Sequence, residues 1–90
     1  MVHVKFTSHL YRFFPGLSEL QVEANNVAEV VSKLDEQYPG LADYIVDETG
    51  ALRKHVNIFI GDSLIYDRQR LQDALKSGDL VFVMQALSGG

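Results

Sequence analysis

The chain has 90 residues, of which 47% are apolar and 22% charged, with a formal net charge of −4 and no cysteine. That length makes one small domain over residues 1–90, able to bury about 60–65% of the surface its unfolded chain exposes. Absence of cysteine removes disulfides, thiolate metal sites and thiol nucleophiles, and scattered Lys and Arg in an acidic chain argue against a nucleic-acid or anionic-membrane surface. No apolar run approaches a membrane span, and "MVHVKFTSHL" lacks the basic start and continuous apolar stretch of a secretory signal, so the expected location is the cytoplasm.

Val2 to Thr7 alternates apolar and polar residues, the pattern of a half-buried strand. Pro15-Gly16 signals a turn, and "LSELQVEA" keeps Leu20 and Val22 in alternation, predicting an antiparallel partner for the first strand. A helix follows with a readable start. Asn26 stands at the cap, Glu29 three residues later in capping-box position, and Val27, Val30, Val31, Leu34 and Tyr38 on one face. Pro39-Gly40 ends that helix, and "LADYIVDETG" predicts a short helical turn before a loop at Thr49-Gly50.

"HVNIFIGDSLIYD" reads as a strand, a Gly61-Asp62 turn and a short return strand. "LQDALKSGD" predicts a short helical or irregular turn closing on Gly78-Asp79, and "LVFVMQAL" the last strand. The order ββ-helix-β-(β)-β is an α+β pattern, one main helix packed on one face of a mixed sheet. In the third strand Val56, Ile58 and Ile60 point one way and Asn57 and Phe59 the other; in the last, Val81 and Val83 oppose Leu80, Phe82 and Met84. A single helix covers only one face, so some of these apolar groups must look outward, and adjacent exposed apolar groups mark an interaction surface. Loops covering the margins of a curled sheet are the alternative.

Internal side chains offer no catalytic constellation. His3, His9 and His55 lack metal-ligand spacing, and Leu75 in "LKSGD" stands where a phosphate loop requires glycine. Asp43, Asp47 and Glu48 read as a solvated surface, and Arg53-Lys54-His55 as a solvated run before a strand that could meet an acidic partner. The chain is therefore expected not to be an enzyme in itself, nor to bind a cofactor or metal. Its Gly89-Gly90 ending arises by chance in about 0.5% of chains at a glycine frequency of about 7%.

"SGDLVFVMQALSGG" resembles the C-terminus of the MoaD/ThiS family of ubiquitin-like sulfur carriers: a Gly-Asp turn (Gly78-Asp79), a strand bearing Val81 and Val83, and an extended tail, Ala86 to Gly90. "YPGLADYIVDETGALRKHVNIFIGD" is similar to the matching region of the carriers for cysteine synthesis, especially around Val56-Asn57-Ile58. The resemblance covers nearly the whole chain. It departs at Gln85, where many members carry proline, leaving one more backbone donor at the base of the tail and bearing on partner preference.

The resemblance implies a β-grasp (ubiquitin-like) fold with a flexible C-terminal tail. It implies that an E1-like adenylating enzyme of the MoeB/ThiF type joins Gly90 to AMP using MgATP. A persulfide or sulfide then displaces AMP, and the C-terminal thiocarboxylate passes to a sulfur-accepting synthase. Activation is needed because an α-carboxylate is ionised at neutral pH and a poor electrophile. Without Cβ, Gly89 and Gly90 suit a narrow channel. Five extended residues from Ala86 reach about 16–18 Å, with Leu87-Ser88 as the recognition step. Phe59, Phe82 and Met84 on the body are the expected partner contacts. The acceptor stays open among molybdopterin, thiamin thiazole, cysteine, tRNA and specialised metabolites. A ubiquitin-like modifier linked through Gly90 to target lysines, and an interaction module with an incidental tail, are the competing readings.

Overall fold

The computed structural model describes residues 1–7, 10, 14, 16, 17 and 19–85. Its strands are β1 (Val2–Phe6), β2 (Leu20–Val22), β3 (Val56–Ile60), β4 (Ser63–Leu64) and β5 (Leu80–Gln85), with helices α1 (Val27–Gln37) and α2 (Leu41–Ile45) between β2 and β3. They form one sheet in the order β2-β1-β5-β3-β4. The central β1–β5 pair is parallel, Val4 opposite Val81 and Phe6 opposite Val83, and every other pair is antiparallel. This is the α+β, β-grasp arrangement expected from the sequence. Among the calls that lie outside the described residues are His9, Pro15 and the whole tail Ala86–Gly90, with Leu87, Ser88, Gly89 and Gly90.

Alternation decides which face of the sheet is core. Val2, Val4, Val56, Ile58, Val81 and Val83 are each at most 1% exposed and pack beneath Val27, Val30 and Leu34 of α1. The helix forms where its cap signals stand. Asn26 Oδ1 accepts the Glu29 N–H at 2.9 Å, while Glu29 Oε1 accepts from the Asn25 N–H at 2.8 Å, the reciprocal capping box. The remaining first-turn donors find distant partners, Val27 N–H donating to Asp73 O and Ala28 N–H to Leu71 O, and Val30 N–H makes the first intrahelical bond back to Asn26 O. The first three N–H groups of the helix, those of Val27, Ala28 and Glu29, which have no intrahelical acceptors, are thus all paired.

The segment around Leu71–Leu75 is irregular rather than helical, and it supplies those carbonyls. Leu71, 3% exposed, adopts φ 56°, uncommon for a branched side chain, with its carbonyl accepting from Ala28 N–H. The Gly78-Asp79 turn stands as expected. Gly78 sits at φ +92°, Asp79 Oδ2 accepts from Lys76 N–H, and Asp79 O accepts from His3 N–H. This clamps the entry to β5 onto β1 and sets the register of the parallel pair.

Candidate functional site: the outer sheet face and the base of the tail

Because β5 lies at the centre of the sheet, its outward side chains are flanked on both sides. Phe82 lies opposite Phe59 of β3 on one side and Lys5 of β1 on the other, and Phe59 in turn lies opposite Leu64 of β4. Lys5, Phe82, Phe59 and Leu64 therefore form one row across four strands. The two phenyl rings are 6.4 Å apart between centroids and tilted by 31°, within the range of favourable aromatic pairs. Phe59, Phe82, Leu80 and Met84 are half-buried, and Leu64 is 50% exposed. The predicted outward set is on one face, with Phe59, Phe82 and Met84 brought together as expected.

The neighbouring row runs through Met84 and Asn57, which oppose each other in register. Continuing the β3–β4 register past Leu64, as the Ile65 N–H to Ile58 O bond does, brings Tyr66 level with Asn57. Tyr66 is 94% exposed yet its loop is fixed. Asp73 carboxylate oxygens accept from the Tyr66 and Asp67 N–H groups, and Asp67 accepts from Gln69, Arg70 and Gln72. Those bonds hold the Asp67 carboxyl below its ordinary value, the Arg70 N–H foremost.

Arg68 is the residue that local sequence patterns miss. Its guanidinium is half-buried and donates to Asn57 Oδ1 at 3.0 Å, Arg53 O at 2.8 Å and Val56 O at 2.9 Å. It ties the loop after β4 to the start of β3. Its partners lie eleven to fifteen positions away, so no spacing rule flags it. The run before β3 is only partly solvated: Arg53 is half-buried and its Nε donates to Asp43 O, whereas Lys54 and His55 are exposed. Asp47 belongs to a turn, accepting from Thr49 Oγ1 at 2.6 Å and from the Thr49 and Ala51 N–H groups, with the Thr49 hydroxyl chiefly responsible for a lowered pKa.

At the base of the tail, β5 ends on Gln85, opposite Val56. β1 has ended by then, and the Thr7 side chain continues the ladder: the Gln85 N–H donates to Thr7 Oγ1 at 3.4 Å, while the Thr7 N–H donates to Val83 O at 3.2 Å. The extra donor that Gln85 provides relative to proline is therefore engaged. Its side-chain Oε1 is buried without a hydrogen-bond partner. Among the described residues no group of three or more His, Asp or Glu is placed to hold a metal, and no helix is long and apolar enough to cross a membrane.

A mixed five-stranded sheet grasping one main helix, with β5 central and its outer face apolar, defines a ubiquitin-like β-grasp protein. The chain belongs to the ThiS family, whose model matches residues 4–90. It is 27% identical over 77 residues to the sulfur carrier protein CysO of Mycobacterium tuberculosis, a match covering 83% of each chain. In fold it is similar to a structure of the Amycolatopsis orientalis BexX/CysO complex, at 20% identity and a TM-score of 0.85 with each chain covered in full. It is also similar to the small archaeal modifier protein 1 of Methanosarcina acetivorans, at 27% identity and a TM-score of 0.80, covering 99% of this chain and 95% of that one.

Proposed function

We propose that this protein is a sulfur carrier whose Gly90 carboxylate is activated and thiolated by partner enzymes. An E1-like adenylating enzyme of the MoeB/ThiF type would attack ATP α-phosphate with that carboxylate, releasing pyrophosphate and leaving an acyl-adenylate. Sulfide would displace AMP to give the thiocarboxylate directly, whereas a persulfide would give an acyl disulfide whose S–S bond a thiol then cleaves, releasing the thiocarboxylate and a disulfide. A synthase consumes the thiocarboxylate as sulfur donor. The observation that carries this reading is the continuity of the outward apolar face with the end of β5. Phe59, Phe82 and Met84 form a surface that a partner can grip, and the strand bearing two of them runs straight into the residues preceding Ala86–Gly90. The body supplies recognition, and the main-chain carboxyl supplies the chemistry, which is why a chain without cysteine can serve it. Similarity to the sulfur carrier protein CysO and family membership support the carrier reading, and the resemblance of the stretch around Val56-Asn57-Ile58 favours cysteine synthesis as the destination of the sulfur.

Intact mass after incubation with the adenylating enzyme, ATP and a sulfur donor tests it. The expected gain is that of one oxygen replaced by sulfur, lost in a chain without Gly89-Gly90. No gain, under conditions that thiolate a known carrier, refutes it. Similarity to an archaeal modifier favours conjugation of Gly90 to lysines as a second reading, tested by searching lysates for Gly-Gly remnants derived from this tail.

A further inference from the structure

The apolar face accounts for partner grip but not for the polar corner beside it, where Asn57, Arg68 and the end of β5 converge and exposed Lys54 stands two residues before β3. Register puts Asn57 opposite Met84 and Val56 opposite Gln85, so this corner adjoins the point where the chain leaves the sheet. A guanidinium carries five N–H donors and no acceptor. Three of Arg68's are engaged by Asn57 Oδ1, Arg53 O and Val56 O, which leaves its Nε–H and one Nη1 hydrogen. Because Arg68 can only donate, it takes the oxygen of the Asn57 amide, and what Asn57 has left to offer is its two Nδ2 hydrogens. Exposed Lys54 follows Arg53, whose carbonyl Arg68 holds.

Around Asn57 and Arg68 the corner is therefore made of donors and positive charge. Asp47 shares a neighbouring pocket with Arg53, Lys54 and His55, but among the described residues no carboxylate lies within ion-pair distance of Arg68, and the ion pair among them, Lys5–Glu19, is elsewhere on the sheet. Three neutral oxygens around a half-buried guanidinium leave its charge uncompensated, in a chain whose net charge is −4. Such an arrangement is complementary to carboxylates, which accept from several donors at once.

We infer that the Asn57–Arg68–Lys54 corner is a docking site for aspartate or glutamate side chains on the adenylating enzyme, at the mouth of the channel that takes the tail. This rests on the carrier reading of the preceding subsection and adds the partner's chemistry and the residues that select it. The nucleotide is not the occupant. Five residues, when fully extended, would carry Gly90 about 16–18 Å from Gln85, beyond the reach of the Arg68 and Lys54 side chains. Asn57 and Arg68 are positioning and specificity residues here, since neither touches the reacting carboxyl.

The test uses the full chain with a MoeB/ThiF-type adenylating enzyme from the same genome, measuring pyrophosphate exchange against carrier concentration at several salt concentrations. Asn57→Asp is isosteric, still accepts from Arg68, and replaces the amide donors by a carboxylate. Lys54→Glu changes an exposed residue and leaves the core untouched. The expected result is a rise in KM for the carrier of about tenfold in each variant, with kcat retained and the salt dependence of kcat/KM flattened. Thermal unfolding of both variants stays at or above that of the unmodified chain. Unchanged carrier KM in both variants overturns the inference and leaves the carrier reading standing, as does a KM shift for ATP alone. Failure of the unmodified chain to be adenylated overturns the carrier reading and this inference with it.

Discussion

Phe82 and Val83 are neighbours on β5 that face opposite sides of the sheet, and truncating each to alanine should separate recognition from stability. Val83 is 0% exposed, opposite Phe6 on one flank and Ile58 on the other, beneath the helix. Val83→Ala removes two buried carbons at about 0.8 kcal/mol each and leaves a small cavity, a loss of roughly 2 kcal/mol. For a chain of this size that lowers Tm by roughly 8–16 °C. Adenylation measured well below that Tm should proceed with unchanged KM, because no outward atom has been altered. Phe82 is half-buried and its main neighbour is the Phe59 ring at 6.4 Å. Phe82→Ala forfeits an aromatic pair worth about 0.5–1.5 kcal/mol plus part of the ring's burial, so its fall in Tm is comparable to that of Val83→Ala and the two variants are told apart by docking. As the centre of a partner-facing row, however, its loss should cost about 2 kcal/mol of docking, or roughly thirtyfold in kcat/KM for the carrier. Calorimetry and pyrophosphate exchange on the two variants give four numbers. If Phe82→Ala leaves kcat/KM intact, or Val83→Ala lowers it as much, the division of the sheet into a core face and a docking face is wrong.

Other outcomes follow from individual contacts. Asn26→Ala removes the acceptor for the Glu29 N–H and should cost about 1 kcal/mol, a fall in Tm of roughly 4–8 °C, with adenylation unaffected. Gly78→Ala meets no steric obstacle but forces an L-residue to φ +92°, so chemical denaturation should show a loss of about 1 kcal/mol or more. Asp47 and Asp67 have folded-state pKa values below their unfolded ones, so the stability they confer is present above about pH 4 and is lost as pH falls through the folded values. Urea unfolding across acid pH should show that decline, and Asp67→Asn should make it shallower. Thr7→Val removes the Oγ1 acceptor from Gln85 N–H, and faster amide exchange at Gln85 with little change in Tm is the expected result.

Much of this protein is written in local sequence. The alternation of β1, β3 and β5 assigns inward and outward residues correctly, because side chains on a strand alternate wherever it is placed. Asn26 and Glu29 announce the start of α1 because both capping bonds close within four residues. The outward apolar pairing of Phe59 and Phe82 was legible as a face, though not as a pair of rings in contact. The terminal motif carried the family assignment, since turn, strand and tail are contiguous in the chain.

Tertiary structure alone decided the rest, wherever a group's partner lies far along the sequence. The segment Leu71–Leu75 has no helical or strand periodicity of its own, and its conformation follows from the α1 N–H groups it must satisfy. The parallel β1–β5 pairing places Phe82 between Lys5 and Phe59, a juxtaposition of residues that no window of sequence contains. Arg68 reads locally as one more surface cation. Only the closing of the loop after β4 against the start of β3 turns it into a half-buried donor that orients Asn57 beside the base of the tail. Short-range hydrogen bonds and alternation are properties of the chain, whereas charge left uncompensated at one corner is a property of how the strands are assembled.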